Sequence, residues 1–407
     1  MNVDSEALDR AHLERALELA ERGMYTTDPN PRVGCVIAHQ ERVLGEGWHM
    51  RAGEPHAEVF ALRAAGPQGR GATAYVTLEP CSHTGRTPPC ADALIAAGVA
   101  RVVCCTADPN PKVAGAGIER LRAAGIEVST GRLTKEARAL NPGFFSRFER
   151  QRPYIRLKMA MTLDGRTAPA AGGRIWISSE ASRADVQAWR ARSSAVLTGS
   201  GTVLADDPRL DVRLDYGAWV RQPLRVVLDT QLACRPDAKV FRGGGAMVFA
   251  ALDAPPGGDI RKGDSPNGDI PVKRVPRATG GLDLDAVLAQ LAALEINEVL
   301  LESGARLAGA FMAQGLVDEI VLYVAPSLLG EMAAPLLQLG VGVGAPGIGT
   351  PHVGTPHVGT PRVGTPPVGT PPVGRPRVSE AALPKFEFTD VQRIGDDVRL
   401  VLTPRKD

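Results

Sequence analysis

The segment from His56 to Cys90 places strong limits on how the chain can fold, because its side chains can bind one metal ion. Zinc in an active site takes three protein ligands and keeps a fourth position open for water. His56, Cys81 and Cys90 can supply the three ligands, which leaves Glu58 to move protons. Ala74–Leu78 is interpreted as a short buried strand, with Cys81 just past its end. The fold must therefore bring two separate stretches together at one point.

Both stretches carry a ligand at the beginning of an alanine-rich helix. His56 follows Pro55 and opens a helix predicted over 57–65, and Cys90 follows two prolines and opens a helix predicted over 91–97. The N-terminus of a helix carries partial positive charge and free N–H groups, which favour a thiolate. Two such termini facing one ion would form a pocket suited to anions.

The order of these residues is typical of nucleobase deaminases. In those enzymes an H-x-E element is followed by Pro-Cys and a second cysteine, and the glutamate is the acid/base and not a ligand. Taken singly, each residue is more often structural, and the two cysteines could be ordinary buried thiols. Taken together they favour a zinc site. Eight residues separate Cys81 from Cys90, where the common pattern has two, so the loop SHTGRTPP must fold back and a subfamily is indicated.

Length and composition set the general class of the protein. A chain of 407 residues exceeds one typical core and predicts two domains. The 47 basic and 45 acidic residues are mixed along the chain, so we expect no nucleic-acid partner. Six cysteines without disulfide spacing predict a cytoplasmic protein. No apolar run is long enough to span a membrane, and no signal pattern opens the chain.

Alternating strands and helices predict an α/β/α domain over 1–147. Val33–Ile37 and Arg42–Glu46 form a predicted hairpin. Asn30, in the turn before the hairpin, either caps that turn or faces the metal pocket. Phe144–Pro153 is interpreted as the junction to a second domain.

A second α/β domain is predicted over 153–404. Short apolar strands of the buried parallel type occur at 224–230 and 246–252. The chain from 298 to 326 is interpreted as a βαβ unit, and 194–208 as a strand entering a glycine- and hydroxyl-rich loop. Gly304 and the small residues after it open the helix of the βαβ unit, where N–H groups suit phosphate. Taken alone, these glycines are a weak signal, and an ordinary turn is the better explanation of them.

A pentapeptide repeat of the type GTPHV occupies Gly349–Val378. Proline in every unit and the lack of an apolar face predict an extended or flexible insertion at about 345–378, within a surface loop. Two strands in PKFEFTDVQRIGDDVRLVLTP should resume the fold. His352 and His357 are interpreted as parts of a solvated linker and not as metal ligands.

Several blocks of sequence resemble the bifunctional riboflavin-biosynthesis deaminase/reductase family (RibD): NPRVGCVI, PHAE, TLEPCSHTGRTPPC, DPNPKVAG, LDGRTA, TVLADDP and LLESGARLAGAF. The likeness covers nearly the whole chain except the repeat, and the long cysteine loop is the family's own form. It implies a cytidine-deaminase-like α/β/α domain followed by a dihydrofolate-reductase-like α/β domain.

The resemblance also implies two consecutive reactions. The first is zinc-dependent hydrolytic deamination of 2,5-diamino-6-(5-phosphoribosylamino)pyrimidin-4(3H)-one. The second is NADPH-dependent reduction of 5-amino-6-(5-phosphoribosylamino)uracil to the ribitylamino product. The expected ligands are therefore one Zn²⁺ per chain, NADPH and a phosphorylated pyrimidine, and a homo-oligomer is expected.

The resemblance assigns roles to individual residues. In the first domain Glu58 is the proton carrier, and Asn30, His83 and Arg86 face the substrate. In the second domain the positions that bind NADP are Ala160, Trp176, Thr202, Asp206, Thr230 and the turn Gly304, Ala305, Arg306, Leu307, Ala308, Gly309 and Ala310. The substrate positions are Lys158, Arg174, Arg190, Leu210, Arg213 and Glu302. Arginines suit this role because they bind phosphate bidentately.

Two other functions fit parts of the sequence. One is a zinc deaminase with an inactive C-terminal domain, which would not bind NADPH. The other is a binding protein that recruits a partner through the repeat and contains no metal.

Overall fold

The computed structural model describes residues 3–82, 88–170, 175–213, 220–255, 270–339 and 384–405. Two main β-sheets organise these residues, one of five strands and one of nine. The predicted repeat insertion and the predicted site residues His83, Arg86 and Arg174 lie outside the described residues. None of the helices in the described ranges has the length and apolar character needed to cross a membrane.

The first domain is built on the five-stranded sheet, in the order β2-β1-β3-β4-β5. Its strands are β1 (Gly34–His39), β2 (Arg42–Trp48), β3 (Thr73–Val76), β4 (Arg101–Cys104) and β5 (Glu127–Thr130). Its helices are α1 (Val3–Glu21), α2 (Ala57–Ala65), α3 (Cys90–Ala97), α4 (Ala116–Ala123), α5 (Thr134–Leu140) and α6 (Pro142–Arg150). Strand β1 is antiparallel to β2, as the predicted hairpin requires, and it is also antiparallel to β3, whereas β3, β4 and β5 are parallel.

Glycines in β2 allow α2 to lie directly on the sheet. A Cβ atom on Gly47 would come within 2.3 Å of the Ala57 carbonyl oxygen, and one on Gly45 within 2.2 Å of the Ala61 carbonyl oxygen. Ala57 and Ala61 are fully buried. Because only glycine permits this approach, the glycines of β2 set the distance between α2 and the sheet. They thereby also position His56 and Glu58 at the start of the helix.

The second domain is built on the nine-stranded sheet, in the order β11-β10-β9-β8-β14-β6-β15-β18-β17. The strands of this domain are β6 (Tyr154–Thr162), β7 (Arg166–Ala168), β8 (Ala195–Gly199), β9 (Leu224–Leu228), β10 (Ala246–Ala251), β11 (Val272–Val275), β12 (Arg277–Ala278), β13 (Gly281–Leu282), β14 (Glu298–Leu301), β15 (Glu319–Ala325), β16 (Ala334–Pro335), β17 (Phe386–Ile394) and β18 (Asp397–Pro404). The helices are α7 (Glu180–Arg192), α8 (Ser200–Asp206), α9 (Leu284–Ala293) and α10 (Ala305–Ala313). Strands β11 to β15 in this order run parallel, and β18 and β17 complete the edge in antiparallel pairing.

Two details of the predicted secondary structure were wrong, and the predicted βαβ unit was confirmed. The predicted junction contains α6, which opens at Pro142 and buries Phe144 and Phe145 against Leu78. Proline at the first position of a helix costs nothing, because its missing N–H would have had no partner there. The predicted loop after β8 is helix α8, which buries Val203. The βαβ unit is real, but β6 lies between β14 and β15.

A buried group of charges joins the two domains. Glu298, at the start of β14, accepts hydrogen bonds from Arg32 at 2.8 Å and from Arg156 at 2.9 Å, and Arg192 lies 3.6 Å away. Arg32 comes from the first domain and the other two arginines from the second. Burial alone would raise the pKa of Glu298, but the three arginines hold it well below its usual range. Glu298 is therefore a carboxylate at the centre of the domain contact.

Candidate active sites

The three predicted metal ligands converge in the first domain. Nδ1 of His56 lies 3.2 Å from Sγ of Cys90 and 3.6 Å from Sγ of Cys81, and all three ligand atoms lie within 4.8 Å of one another. Tetrahedral zinc, with bonds of about 2.0–2.3 Å, separates such atoms by roughly 3.5–3.8 Å. The three residues therefore fit a zinc ion. In the described part of the chain this is the one group of three or more such side chains that could hold a metal.

Local structure holds the ligands in place. His56 is the N-cap of α2 and Cys90 is the first residue of α3, so both helices point their N-termini at the site. The backbone N–H of Cys90 donates to Sγ of Cys81 at 3.3 Å. Hydrogen bonds from Cys90 and His56 lower the pKa of the Cys81 thiol to about 4, so a thiolate forms readily.

Glu58 lies beside this group, in the first turn of α2, and only 3 % of its surface is exposed. Its Oε2 atom has no hydrogen-bond partner among the described residues. Burial raises the pKa of the Glu58 carboxyl. Glu58 is thus a buried carboxyl next to the three metal ligands, but it is not one of them. Because one of its oxygens makes no hydrogen bond to a described residue, it can take up a proton and return it.

The predicted residues of the second domain gather at the carboxyl ends of the neighbouring strands β9, β8, β14 and β6. Thr230 follows β9, Thr202 and Asp206 lie on α8 after β8, and Glu302 follows β14. Lys158 and Ala160 lie on β6. Ligands of open α/β sheets bind at this edge. The structure therefore places these residues at the edge of the sheet where folds of this type form a ligand-binding crevice.

The helix after β14 offers backbone N–H groups to that crevice. Gly304 is the N-cap of α10 and its N–H donates to Oγ1 of Thr202 at 3.2 Å. Gly304 and Arg306 are exposed. Ala308 is fully buried, and a Cβ on Gly309 would come within 2.0 Å of the Gln338 carbonyl oxygen. The first part of the predicted turn is thus accessible, whereas Ala308 and Gly309 pack against the protein.

Arg190 and Glu302 form one unit. The guanidinium of Arg190 donates to both oxygens of Glu302, at 2.6 and 2.9 Å, and to the Asp211 carbonyl at 3.1 Å. Burial would raise the pKa of Glu302, but the charges of Arg190 and Lys158 lower it. Arg190 was predicted to bind the substrate phosphate, but in the structure its guanidinium donates to Glu302 and to the Asp211 carbonyl.

The remaining predicted residues differ in exposure. Trp176 is 64 % exposed, with the Arg183 guanidinium 4.6 Å from its ring. Leu210 is buried in an apolar cluster. The side chain of Arg213 is 47 % exposed and donates to Asp211 at 2.8 Å. Of these three, Trp176 and Arg213 are open to a ligand.

Comparison with known proteins decides the family. Residues 6–106 match the family model of the cytidine and deoxycytidylate deaminase zinc-binding region, and residues 153–351 match that of the RibD C-terminal domain. The riboflavin biosynthesis protein RibD of Escherichia coli is 50 % identical over 341 residues, which cover 81 % of this chain and 91 % of that protein. The chain belongs to the RibD family. RibD of Haemophilus influenzae is 39 % identical and covers 98 % of both chains.

Solved structures agree with this assignment. RibD of Acinetobacter baumannii has a TM-score of 0.81 at 40 % identity and covers 98 % of this chain and 99 % of its own. A structure from Thermotoga maritima described as a diaminohydroxyphosphoribosylaminopyrimidine deaminase/5-amino-6-(5-phosphoribosylamino)uracil reductase has a TM-score of 0.77 at 30 % identity. It covers 98 % of this chain and 100 % of its own. The predicted fold class is confirmed for both domains.

As a member of the RibD family, the chain is a bifunctional enzyme of riboflavin biosynthesis, with a zinc-dependent deaminase domain and an NADPH-dependent reductase domain. The predictions of the activity and of both cofactors are confirmed at this level. The two alternative functions considered from the sequence are set aside, because relatives share both halves of the chain.

His49 is a residue of the RibD deaminase site that the sequence did not reveal. It is 2 % exposed, and its Nδ1 lies 3.2 Å from the Pro55 carbonyl oxygen, which can only accept. Nε2 of His49 must then accept from Nδ2 of Asn30, at 3.1 Å. Burial, together with the charge of His56, lowers the pKa of His49 to about 4, which keeps the ring neutral. The Asn30 amide thus contacts the ring of His49, which lies 5.2 Å from the ring of the predicted ligand His56.

Glu79, two residues before Cys81, was also missed. It is 4 % exposed, and its carboxylate accepts four backbone N–H groups at 3.0–3.3 Å. These N–H groups belong to Asp108, Gly115, Gly117 and Ile118. Glu79 therefore ties the first turn of α4 and the loop before it to the cysteine segment, a structural role that a Glu-Pro-Cys sequence does not indicate by itself.

Proposed function

We propose that the chain carries out two consecutive steps of riboflavin biosynthesis on specific substrates. The first removes ammonia from 2,5-diamino-6-(5-phosphoribosylamino)pyrimidin-4(3H)-one, and the second reduces 5-amino-6-(5-phosphoribosylamino)uracil with NADPH. The name of the Thermotoga maritima relative supports this pair of reactions. The observation that carries the proposal is the triad His56, Cys81 and Cys90 beside a buried Glu58, on a chain that also carries the reductase crevice.

In the deaminase site we assign a role to each residue. His56, Cys81 and Cys90 would hold zinc, which when bound lowers the pKa of a water ligand to about 7 and so supplies hydroxide at neutral pH. Glu58 takes the proton of the attacking water, gives it to the ring nitrogen, and then assists the departure of ammonia. Asn30 holds the edge of the heterocycle. His83, which lies outside the described residues, is assigned to substrate binding from the family likeness.

In the reductase site we assign the accessible turn from Gly304 to Leu307, with Thr202, Asp206, Thr230, Ala160 and Trp176, to NADPH. The N-terminus of α10 suits a phosphate, since its backbone N–H groups lack partners within the helix. Lys158, Glu302 and Arg213 are assigned to the substrate, together with Leu210 and Arg174. Arg190 acts on the substrate through Glu302, because its donors are already engaged. Hydride transfer is the cofactor's chemistry, and these residues orient the reactants.

We further propose that the domains span 1–147 and 153–404 and that the protein works in the cytoplasm as a homo-oligomer that does not bind nucleic acid. The two sheets support the division. All six cysteines are free, which supports a reducing compartment. The edge strand β17 exposes Phe388 and Val391, 63 % and 59 % exposed, which supports self-association. Analytical ultracentrifugation of the purified protein tests the last point.

The test of the proposed function measures the two reactions separately. Purified zinc-loaded protein is given the diaminopyrimidine phosphate, and ammonia release and NADPH consumption are followed in parallel. We expect ammonia to be released even when NADPH is omitted. When NADPH is present, it should be consumed only after ammonia has been released. NADPH consumption that precedes deamination would contradict the proposed order, and ammonia release from metal-free protein would contradict the role of the triad.

A further inference from the structure

A turn of the deaminase site is held by side chains of the reductase domain. Oδ1 of Asp28 accepts hydrogen bonds from Oγ of Ser194 at 2.7 Å and from Nδ2 of Asn297 at 3.0 Å. Nδ2 of Asn297 also donates to the Pro29 carbonyl at 2.9 Å, and Arg221 forms an ion pair with Asp28. Asp28 and Pro29 are therefore bound on one side by the second domain.

The same turn leads directly to the zinc site on its other side. Asn30 follows Pro29, and its amide donates to His49, whose ring in turn donates to the Pro55 carbonyl. The residue after Pro55 is the metal ligand His56, whose ring lies 5.2 Å from that of His49 in an edge-to-face arrangement. Short contacts thus run without a break from Asn297 to the start of α2.

Asn297 has no evident task in its own domain's crevice. It is 5 % exposed and lies at the amino end of β14, where its N–H donates to Oγ of Ser194 at 3.0 Å. Glu302 lies at the opposite end of that strand, after four residues that extend roughly 13 Å. A change at Asn297 can therefore alter the deaminase turn while the reductase residues keep their places.

We propose that Asn297 is a positioning residue for deamination. By donating to Asp28 and Pro29 it fixes the direction of the Asn30 amide, and the reductase domain thereby completes the substrate pocket of the deaminase. This inference rests on the proposed role of Asn30 in binding the heterocycle.

The substitution Asn297→Asp tests the inference with almost no change of size. It removes both donated hydrogen bonds and sets a carboxylate against the Asp28 carboxylate and the Pro29 carbonyl. We expect the KM for deamination to rise roughly tenfold, as the loss of one or two hydrogen bonds would give. Zinc content should stay at the wild-type value, as should kcat/KM for NADPH-dependent reduction of the pre-deaminated substrate. A structural defect would instead lower both activities and the zinc content together.

A reciprocal exchange provides the rescue. In the double variant D28N/N297D the amide at position 28 can donate to the carboxylate at position 297, so the deamination KM should recover in part. The ion pair with Arg221, the hydrogen bond from Ser194 and the one to the Pro29 carbonyl are not restored. Glu295→Gln serves as the matched control. This change removes the 3.5 Å ion pair between Glu295 and Arg147 of α6. Because neither residue is bonded to the Asp28–Asn30 turn, the deamination KM should not change.

The variant Asn30→Ala separates failure of the inference from failure of the proposed function. If Asn30→Ala raises the deamination KM and Asn297→Asp does not, the inference is overturned and the role of Asn30 stands. If Asn30→Ala has no effect, the proposed role of Asn30 fails, and the inference fails with it. If Asn297→Asp lowers both activities and the exchange rescues neither, Asn297 supports only the fold and the inference is overturned.

Discussion

Replacement of Glu58 by glutamine separates the two activities of the chain. The glutamine has almost the same volume, so the packing of α2 on Gly45 and Gly47 should not change. It cannot accept a proton. Because Glu58 is not among the three converging ligands, zinc should stay bound.

The magnitude follows from the role of the side chain. General acid/base catalysis contributes about 10²–10⁴-fold, which corresponds to roughly 2.7–5.5 kcal/mol of the activation barrier. Glu58 is 3 % exposed, so bulk water has little access to replace it as a proton carrier. Deamination by Glu58→Gln should fall by at least this factor, since one residue serves several proton transfers.

The assay uses two substrates and one control. Given the pre-deaminated aminouracil phosphate, Glu58→Gln should oxidise NADPH at nearly the wild-type rate, and given the diaminopyrimidine it should stall. Glu54→Gln makes the same chemical change two residues before His56 on a side chain that is 44 % exposed, and should deaminate normally. Normal deamination by Glu58→Gln would show that Glu58 is not the proton carrier. Loss of reductase activity in the folded variant would refute the independence of the two sites.

Three other outcomes follow from the sequence and the structure. Cys81→Ser or Cys90→Ser should lose the roughly one zinc per chain, measured by elemental analysis, together with deamination, while NADPH binding measured by fluorescence persists. Excision of 349–378 should leave both rates within a few-fold, because no unit of the repeat has an apolar face; a collapse of either kcat would contradict this. The pKa of Glu298 is depressed in the folded chain, so its stabilising contribution is complete above the unfolded value of about 4.3 and is lost as pH falls toward the folded value. Between pH 7 and pH 3 the melting temperature should fall further in the wild type than in Glu298→Gln, in which only the other carboxylates titrate and which should itself be less stable at pH 7 by about 3–5 kcal/mol.

The zinc site could be predicted from the sequence because its chemistry depends on residue types at fixed spacing. His56, Cys81 and Cys90 each stand at the end of a recognisable strand or the start of a recognisable helix, so their convergence follows from the fold class. The position of α6 was missed because Phe144 and Phe145 follow a Pro-Gly pair, which is more typical of a loop. Burial of both rings against Leu78 overrides that local preference.

The residues that surround the ligands and hold them in place could not be predicted, since their contacts join distant parts of the chain. His49 and Asn30 are 19 positions apart, and Asp28 and Asn297 are 269 apart. Nothing in the local pattern around Arg190 shows that Glu302, 112 positions later, occupies its donors. Such pairings are decided by how whole sheets meet and not by any short motif.

The charge cluster around Glu298 limits how far the two halves of this enzyme can evolve separately. Arg32 enters the cluster from one half, whereas Arg156 and Arg192 enter from the other. A buried carboxylate that loses one partner costs about 3–5 kcal/mol, which is a large part of the stability of a typical domain. A chimaera that takes either half from a distant relative should therefore carry the residues at positions 28, 32, 297 and 298 as one set.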